Sequence, residues 1–367
     1  MERQVIQPRP NWQGRCEEVG FDFHSKDGPY WNEAACYSFT EREIEVLESA
    51  TQDLHGLCVK AVDHVVRQNR FGELGIPEPY AGLCRKSWER QDFSLYGRFD
   101  LVFDGRNPPK MLEYNADTPT ALLEAAVVQW VWLEDTHPSA DQFNSLHERL
   151  LEGFKKLADG TPLYLSCAQG SLEDLRTTEY LQDLASQAGL VTRFSYIEEV
   201  GWNGQAFVDT QERPIYRMFK LYPWEWMFRD EFGQHMLLEP WYLVEPPWKL
   251  ILSSKGILPI LWELFPGHPN LLPAFFDANR LHGPKVRKPR FSREGTNVTI
   301  ESLGIDTAGP YSDEGWIYQA LANIPQFDGQ YPVIGSWIIE DEAAGMGIRE
   351  DSSPVTQNMS RFVPHWF

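Results

Sequence analysis

The sequence predicts an α+β (mixed α/β) fold with both mixed and antiparallel sheets. Three observations support this. One long stretch near the start has helical periodicity. A strand–helix–strand pattern occupies the middle. The last hundred residues alternate mostly as strands.

The elements follow in order. In 40–70, Thr40 and Glu43 have the spacing of a capping box, and Ile44, Leu47, Leu54, Ala61 and Val65 recur at helical intervals. "YGRFDLVFDG" reads as a strand over 96–104, "DGRNPP" as a turn and "KMLEYN" as a second strand. Thr118 followed by Pro119 has the form of a cap and first helical residue, so 119–134 is expected to be helical. "PLYLSCA" (162–168), a helix near 172–188 and "LVTRFSYI" (190–197) form a unit that predicts parallel strands, and "PIYRMFK" (214–220) adds another. A Pro-rich apolar region begins near 246, and its "LILSS" reads as a strand. Strands are then expected in "KVRKP", "NVTIES", "WIYQAL", "YPVIGSWII" and "AAGMGIRE". Four regions result: 1–160, helical with the hairpin; 161–245, a small α/β unit; 246–330, carrying Lys255, Lys288 and a polar loop; and 331–367, returning strands.

The 367 residues are 42% hydrophobic and 23% charged, a globular composition. No stretch has the roughly 18 unbroken apolar residues of a membrane helix, and the first residues lack the apolar core of a signal peptide, so a soluble cytoplasmic protein is expected. The net charge of −20 disfavours nucleic acid and anionic membranes as partners and favours a small polycation. The five cysteines (16, 36, 58, 84 and 167) include no CxxC pair, which points to reduced structural thiols.

The chemistry concentrates in the 96–115 hairpin. Residues two apart on a strand share a face. A symmetric turn pairs positions of constant sum, which sets Asp100 opposite Glu113 and Arg98 opposite Asn115. Directly opposed carboxylates repel unless a cation lies between them. Asp100, Glu113 and Asn115 offer hard oxygen ligands suited to Mg²⁺, and Arg98 could grip a phosphate held by that metal. The bland alternative is a surface hairpin with an Arg–Asp pair. No GxxxxGK[ST] occurs, and no GxGxxG follows a strand. Lys255 follows a predicted strand, Lys288 ends another, and 290–297 is a polar, glycine-bearing loop whose amides could bend over an anion.

Together, "YGRFDLVF…KMLEYNADTPTALLEA", "LSSKGILPILWELFPGHPNLLPAFF", "KPRFSREGTNV", "IYQALANIPQFDGQYPVIGSWII" and "GMGIREDSSPVTQN" resemble the glutathionylspermidine synthase family, synthetase part only, from about residue 20 to the end. The resemblance implies an ATP-grasp-like fold of permuted order with a small α/β substrate-side unit. It implies a carboxylate–amine ligase working through an acyl phosphate, with ATP and Mg²⁺ as cofactors. Asp100, Glu113 and Asn115 fall on the family's Mg²⁺ ligands and Arg98 on the arginine that steadies phosphoryl transfer. Lys255, Lys288, Gly295 and Gln319 fall on ATP-binding positions. Thr118, Thr120 and Arg349 fall where the family meets its peptide substrate, and Glu173 and Asp174 near acidic residues that meet the polyamine. The implied partners are a small-molecule or peptide carboxylate and an amine, with a polyamine one candidate. Two departures bear on the acid substrate. Thr118 and Thr120 replace serines, and "FKLYPWEWM" replaces a "KTW" type segment near Lys220–Leu221. The rival readings are a carbohydrate-active enzyme and a non-catalytic nucleotide- or peptide-binding module that retains the ATP-grasp shape.

Overall fold

The computed structural model describes residues 1–25, 28–311 and 314–367. Its central sheet is wholly antiparallel. The strand order is Arg361–Val363, Glu342–Asp351, Tyr331–Ile339, Tyr96–Val102 and Lys110–Asn115. Helix Glu41–Gln68 packs on this sheet through Leu47, Leu54, Cys58, Ala61 and Val65, all fully buried. It starts at the expected capping box, and Thr51 Oγ1 hydrogen-bonds Ser336 Oγ at 2.7 Å, pinning helix to strand.

A second antiparallel sheet runs Ala274–Phe275, Trp316–Ala320, Lys285–Pro289, Thr299–Ile300 and Ile305–Asp306. It lies against the open edge of the hairpin: Lys288 donates to the Leu112 carbonyl at 3.0 Å and Gln319 to the Met111 carbonyl at 3.1 Å. A four-stranded parallel sheet orders Tyr242–Val244, Arg217–Leu221, Leu163–Cys167 and Thr192–Phe194, with helix Leu172–Gln187 as its crossover. In sheets of this kind ligands meet the carboxyl ends of the strands where the order reverses. Here that point lies between Leu163–Cys167 and Arg217–Leu221, beside Glu173 and Asp174. No described helix is long and apolar enough to cross a membrane.

Three expectations need correction. The chain does not become helical at Pro119. Thr118 and Thr120 are drawn into the cleft by hydrogen bonds from Arg293 and Arg98, and Ala121 has φ +63°. The helix starts after that, opens into a wide π-turn at Glu124–Val128, and becomes α over Gln129–Thr136. "LILSS" is not a strand: Lys255 lies at the junction of helices Leu250–Ser253 and Ile257–Leu264. Both are apolar on nearly every side, and a short, fully apolar run has no period to separate buried helix from buried strand. "NVTIES" contributes only Thr299–Ile300 before a 3₁₀ turn.

The C-terminus is held by a buried polar network. Fully buried His365 bonds Gln129 Oε1 through Nδ1 at 2.9 Å, and its Nε2 has no partner among the described residues. Burial pushes its pKa from 6.5 down to about 3. The unfolded chain therefore binds a proton that the folded one rejects. Stability is expected to fall as pH drops from 6.5 toward 3, by up to roughly 1.4 kcal/mol per pH unit from this group. Thermal melts across that window check it, and His365→Gln should show a shallower decline.

Candidate active site

The hairpin pairs as the turn symmetry requires: Arg98 opposes Asn115 and Asp100 opposes Glu113. A bulge after Asp100 leaves Leu112 as the extra residue, because Leu101 pairs with Met111. Arg98 Nε donates to Asp100 Oδ1 at 2.8 Å and Nη1 to the Thr120 carbonyl at 2.6 Å. Asn115 Nδ2 donates to Asp100 Oδ2 at 3.2 Å.

Two buried lysines approach this face from other elements. Lys255 Nζ lies 3.1 Å from Glu113 Oε2 and donates to the Ser292 carbonyl at 2.8 Å. Lys288 Nζ donates to Gln319 Oε1 at 2.8 Å. Burial raises the Glu113 pKa, but the charges of Lys255 and Lys288 outweigh it and hold the carboxyl below its usual value. Burial pushes Lys288 down to about 8 against the pull of Glu113.

These groups line one cleft of about 1160 Å³, including its open mouth. Beyond the lysines its wall turns apolar at Val286, Val298, Ile300 and Val355, which form a small core of their own with Leu321 packed against it. The 290–297 loop forms another wall. Gly295 has φ +66° there, and a Cβ would stand 2.4 Å from the Thr356 carbonyl oxygen, so both torsion and space call for glycine. At the far end, Thr118, Thr120 and Arg349 line the cleft. Arg349 is not free: it donates to the carbonyls of Gln357, Asn358 and Ser360 and so braces that turn. Glu173 and Asp174 open helix Leu172–Gln187, with the Asp174 amide bonded to Ser171 Oγ. Burial, aided by the charge of Glu173, pushes Asp174 up to about 7.

Asp117 follows Glu113 and Asn115 in the same alternation but has a different place. It is 1% exposed, pairs with Lys220 at 2.5 Å and accepts the Trp224 amide at 2.9 Å. Lys220, in the departing segment, is thereby occupied inside the protein. Sequence reasoning missed Arg293, which bridges Thr118 Oγ1 at 2.6 Å and Glu225 Oε1 at 2.8 Å. Its position within "SREGTN", the loop already singled out, was the available signal.

It also missed Gly335. Its added Cβ would stand 2.7 Å from Arg98 Cδ, and its φ is not positive. The backbone therefore accepts alanine and Arg98 must move. Gly335→Ala is expected to lower kcat by about ten- to a hundred-fold with little change in Tm, as misplacement of a positioned group does. Steady-state kinetics beside a thermal melt check this, and an unchanged kcat would contradict the placement of Arg98.

Among the described residues, no group of three or more His, Cys, Asp and Glu side chains is arranged to hold a metal. The hairpin offers two carboxylates and one amide oxygen, with cationic side chains pairing the carboxylates. That donor set suits Mg²⁺, which keeps waters and takes its remaining oxygens from phosphates.

The family described as "Glutathionylspermidine synthase preATP-grasp" matches residues 3–367. The chain belongs to this family. A Haemophilus influenzae protein described as "Putative acid--amine ligase" is 41% identical, covering 98% of this chain and 97% of that protein. Trypanothione synthetase of Crithidia fasciculata is 29% identical over 88% of this chain, and the bifunctional glutathionylspermidine synthetase/amidase of Escherichia coli K12 is 28% identical over 89%. The matched regions span only 55% and 58% of those two proteins. A glutathione synthetase-like effector of Globodera pallida shares the fold with a TM-score of 0.57, at 11% identity over 99% of this chain and 100% of that one. The fold is thus of the ATP-grasp type, as the motifs implied. Family membership makes the protein an ATP-dependent carbon–nitrogen ligase of the acid–amine class.

Proposed function

We propose that this cleft activates a substrate carboxylate as an acyl phosphate and transfers the acyl group to a cationic amine. One observation carries the reading. Asp100, Glu113 and Asn115 converge with Arg98, Lys255 and Lys288 in a single cleft, although they come from three separate parts of the chain.

The side chains divide the task. Val286, Val298, Ile300 and Leu321 offer an apolar slot for a purine ring, and Lys255 and Lys288 supply positive charge for phosphates at the slot's inner end. Asp100, Glu113 and Asn115 would hold Mg²⁺, which offsets charge on phosphate oxygens when bound. Arg98, locked by Asp100 and the Thr120 carbonyl, presents a preorganised cation where charge develops on the transferring group. Thr118, Thr120 and Arg349, which line the cleft, would face the acid substrate, and Glu173 and Asp174, in the first turn of helix Leu172–Gln187 and outside the cleft's lining, would attract the ammonium. The 290–297 loop shields the acyl phosphate from water. Thr118 and Thr120 in place of serines, together with the changed segment near Lys220–Leu221, argue against glutathione itself as the acid.

ADP and phosphate release from Mg·ATP, run against pools of amino acids, short peptides and polyamines, tests the reading. Release that needs one acid and one amine together is expected. Release that ignores both would contradict it.

A narrower expectation concerns the loop. Its contacts at Lys255–Ser292 and Arg293–Thr118 join it to both ends of the cleft. Mg·ATP is expected to slow amide hydrogen exchange across 290–297, and equal exchange with and without nucleotide would contradict the covering role.

A further inference from the structure

A second cavity lies in the small α/β unit and takes no part in the mechanism above. It holds about 680 Å³, including its open mouth, and none of its lining residues belongs to the cleft. Four aromatic side chains line it: Phe207, Tyr222, Phe232 and Trp241. Met227 and Met236, both buried, lie among them. The rings brace one another. Trp241 stacks on Phe207 with centres 3.9 Å apart, and Trp202 meets Phe207 edge-on at 5.1 Å. The Trp241 N–H is buried and has no acceptor among the described residues. A buried donor left without a partner is costly, so this one calls for an oxygen.

The charge around this cavity has one sign. Glu198, Asp230 and Glu231 line it and are exposed, and among the described residues no lysine, arginine or histidine lines it. Glu198 accepts a hydrogen bond from the Gln169 amide at 3.0 Å, and Asp230 accepts one from the Tyr222 hydroxyl at 3.2 Å, so both are held in place. None of the three carboxylates has an ion-pair partner among the described residues; Arg229, next to Asp230 in the chain, turns to Glu314. An anionic ligand would meet three like charges here. Aromatic rings beside unpaired carboxylates suit a compact organic cation. Ring faces and anions both attract the charge, and the rings cover its methyl groups.

We propose that this cavity is a separate binding site for a methylated ammonium ion that carries an acceptor oxygen, a cation of the choline type. The methyl groups sit among the four aromatic side chains, the charge faces the carboxylates of Glu198 and Asp230, and the oxygen accepts the Trp241 N–H. The site lies outside the cleft and does not rest on the ligase reading.

Choline binding to the full chain is followed by saturation-transfer NMR of the choline methyl signal. The neutral alcohol of the same shape, 3,3-dimethylbutanol, serves as the control probe. Choline is expected to bind saturably, and the neutral alcohol about tenfold more weakly or not at all. Asp230→Asn changes an exposed side chain, keeps an acceptor for Tyr222 and should weaken choline binding about threefold. Trp241→Phe keeps a ring to stack on Phe207 and removes the N–H. It should weaken choline about fivefold and tetramethylammonium, which has no oxygen, by less. Equal binding of choline and the neutral alcohol, choline binding unaltered in both variants, or no choline binding by wild type would overturn the proposal. Displacement of choline by an equal concentration of spermidine would also overturn it, because the cavity would then select for total charge. The test involves no turnover, so its failure leaves the ligase reading standing.

Discussion

Glu113→Gln is expected to lower Mg·ATP-dependent turnover by about a thousand-fold while the protein still folds. The substitution keeps the shape of the side chain and removes its charge. Two consequences follow from the geometry. The hairpin face loses one of its two carboxylates, leaving Asp100, which Arg98 already engages. Lys255 and Lys288 also lose the negative charge that both face. The second effect costs stability, and the cost is limited because Lys255 and Lys288 keep their bonds to Ser292, Gln319 and the Leu112 carbonyl. ADP release and a thermal melt of the same preparation check both parts. Near-normal turnover would remove Glu113 from the chemistry.

Arg98→Lys is expected to lower kcat by about a hundred- to a thousand-fold with the KM for ATP little changed. Lysine keeps the charge and loses the fork. Arg98 uses separate nitrogens for Asp100 and the Thr120 carbonyl, and its guanidinium lies 5.8 Å from the Trp337 ring centre. A single ammonium cannot hold both partners and still face the cleft. Steady-state kinetics separate the two parameters, and a kcat near wild type would show that charge alone suffices.

The parts of the site legible in the sequence are those set by local periodicity. Arg98, Asp100, Glu113 and Asn115 declared a shared face because strand side chains alternate and a short turn fixes which residues oppose. Helix Glu41–Gln68 was legible for a similar reason, since its cap and apolar spacing agree. What escaped depends on contacts across the fold. Pro119 has the residue types of a helix start, yet hydrogen bonds from Arg98 and Arg293 hold the neighbouring threonines in another conformation. Gly335 reads as a weak point in a strand until the Arg98 side chain is seen packed over it from the neighbouring strand. Glu124 sits in an apolar helical run, and only the fold brings Tyr30 from 94 residues away to meet it. Lys255 was singled out as a cation but assigned to the wrong element, because the two short helices that flank it are apolar on nearly every side.

The transfer of a heavy-oxygen label tests the acyl-phosphate reading most directly. The acid found to support ADP release is labelled in both carboxylate oxygens, ligated with unlabelled Mg·ATP, and the phosphate formed is weighed by mass spectrometry. The expected result is one labelled oxygen in each phosphate, carried over when the carbon–oxygen bond of the acyl phosphate breaks. Phosphate without label would contradict it, because the carboxylate would then never have been bonded to phosphorus.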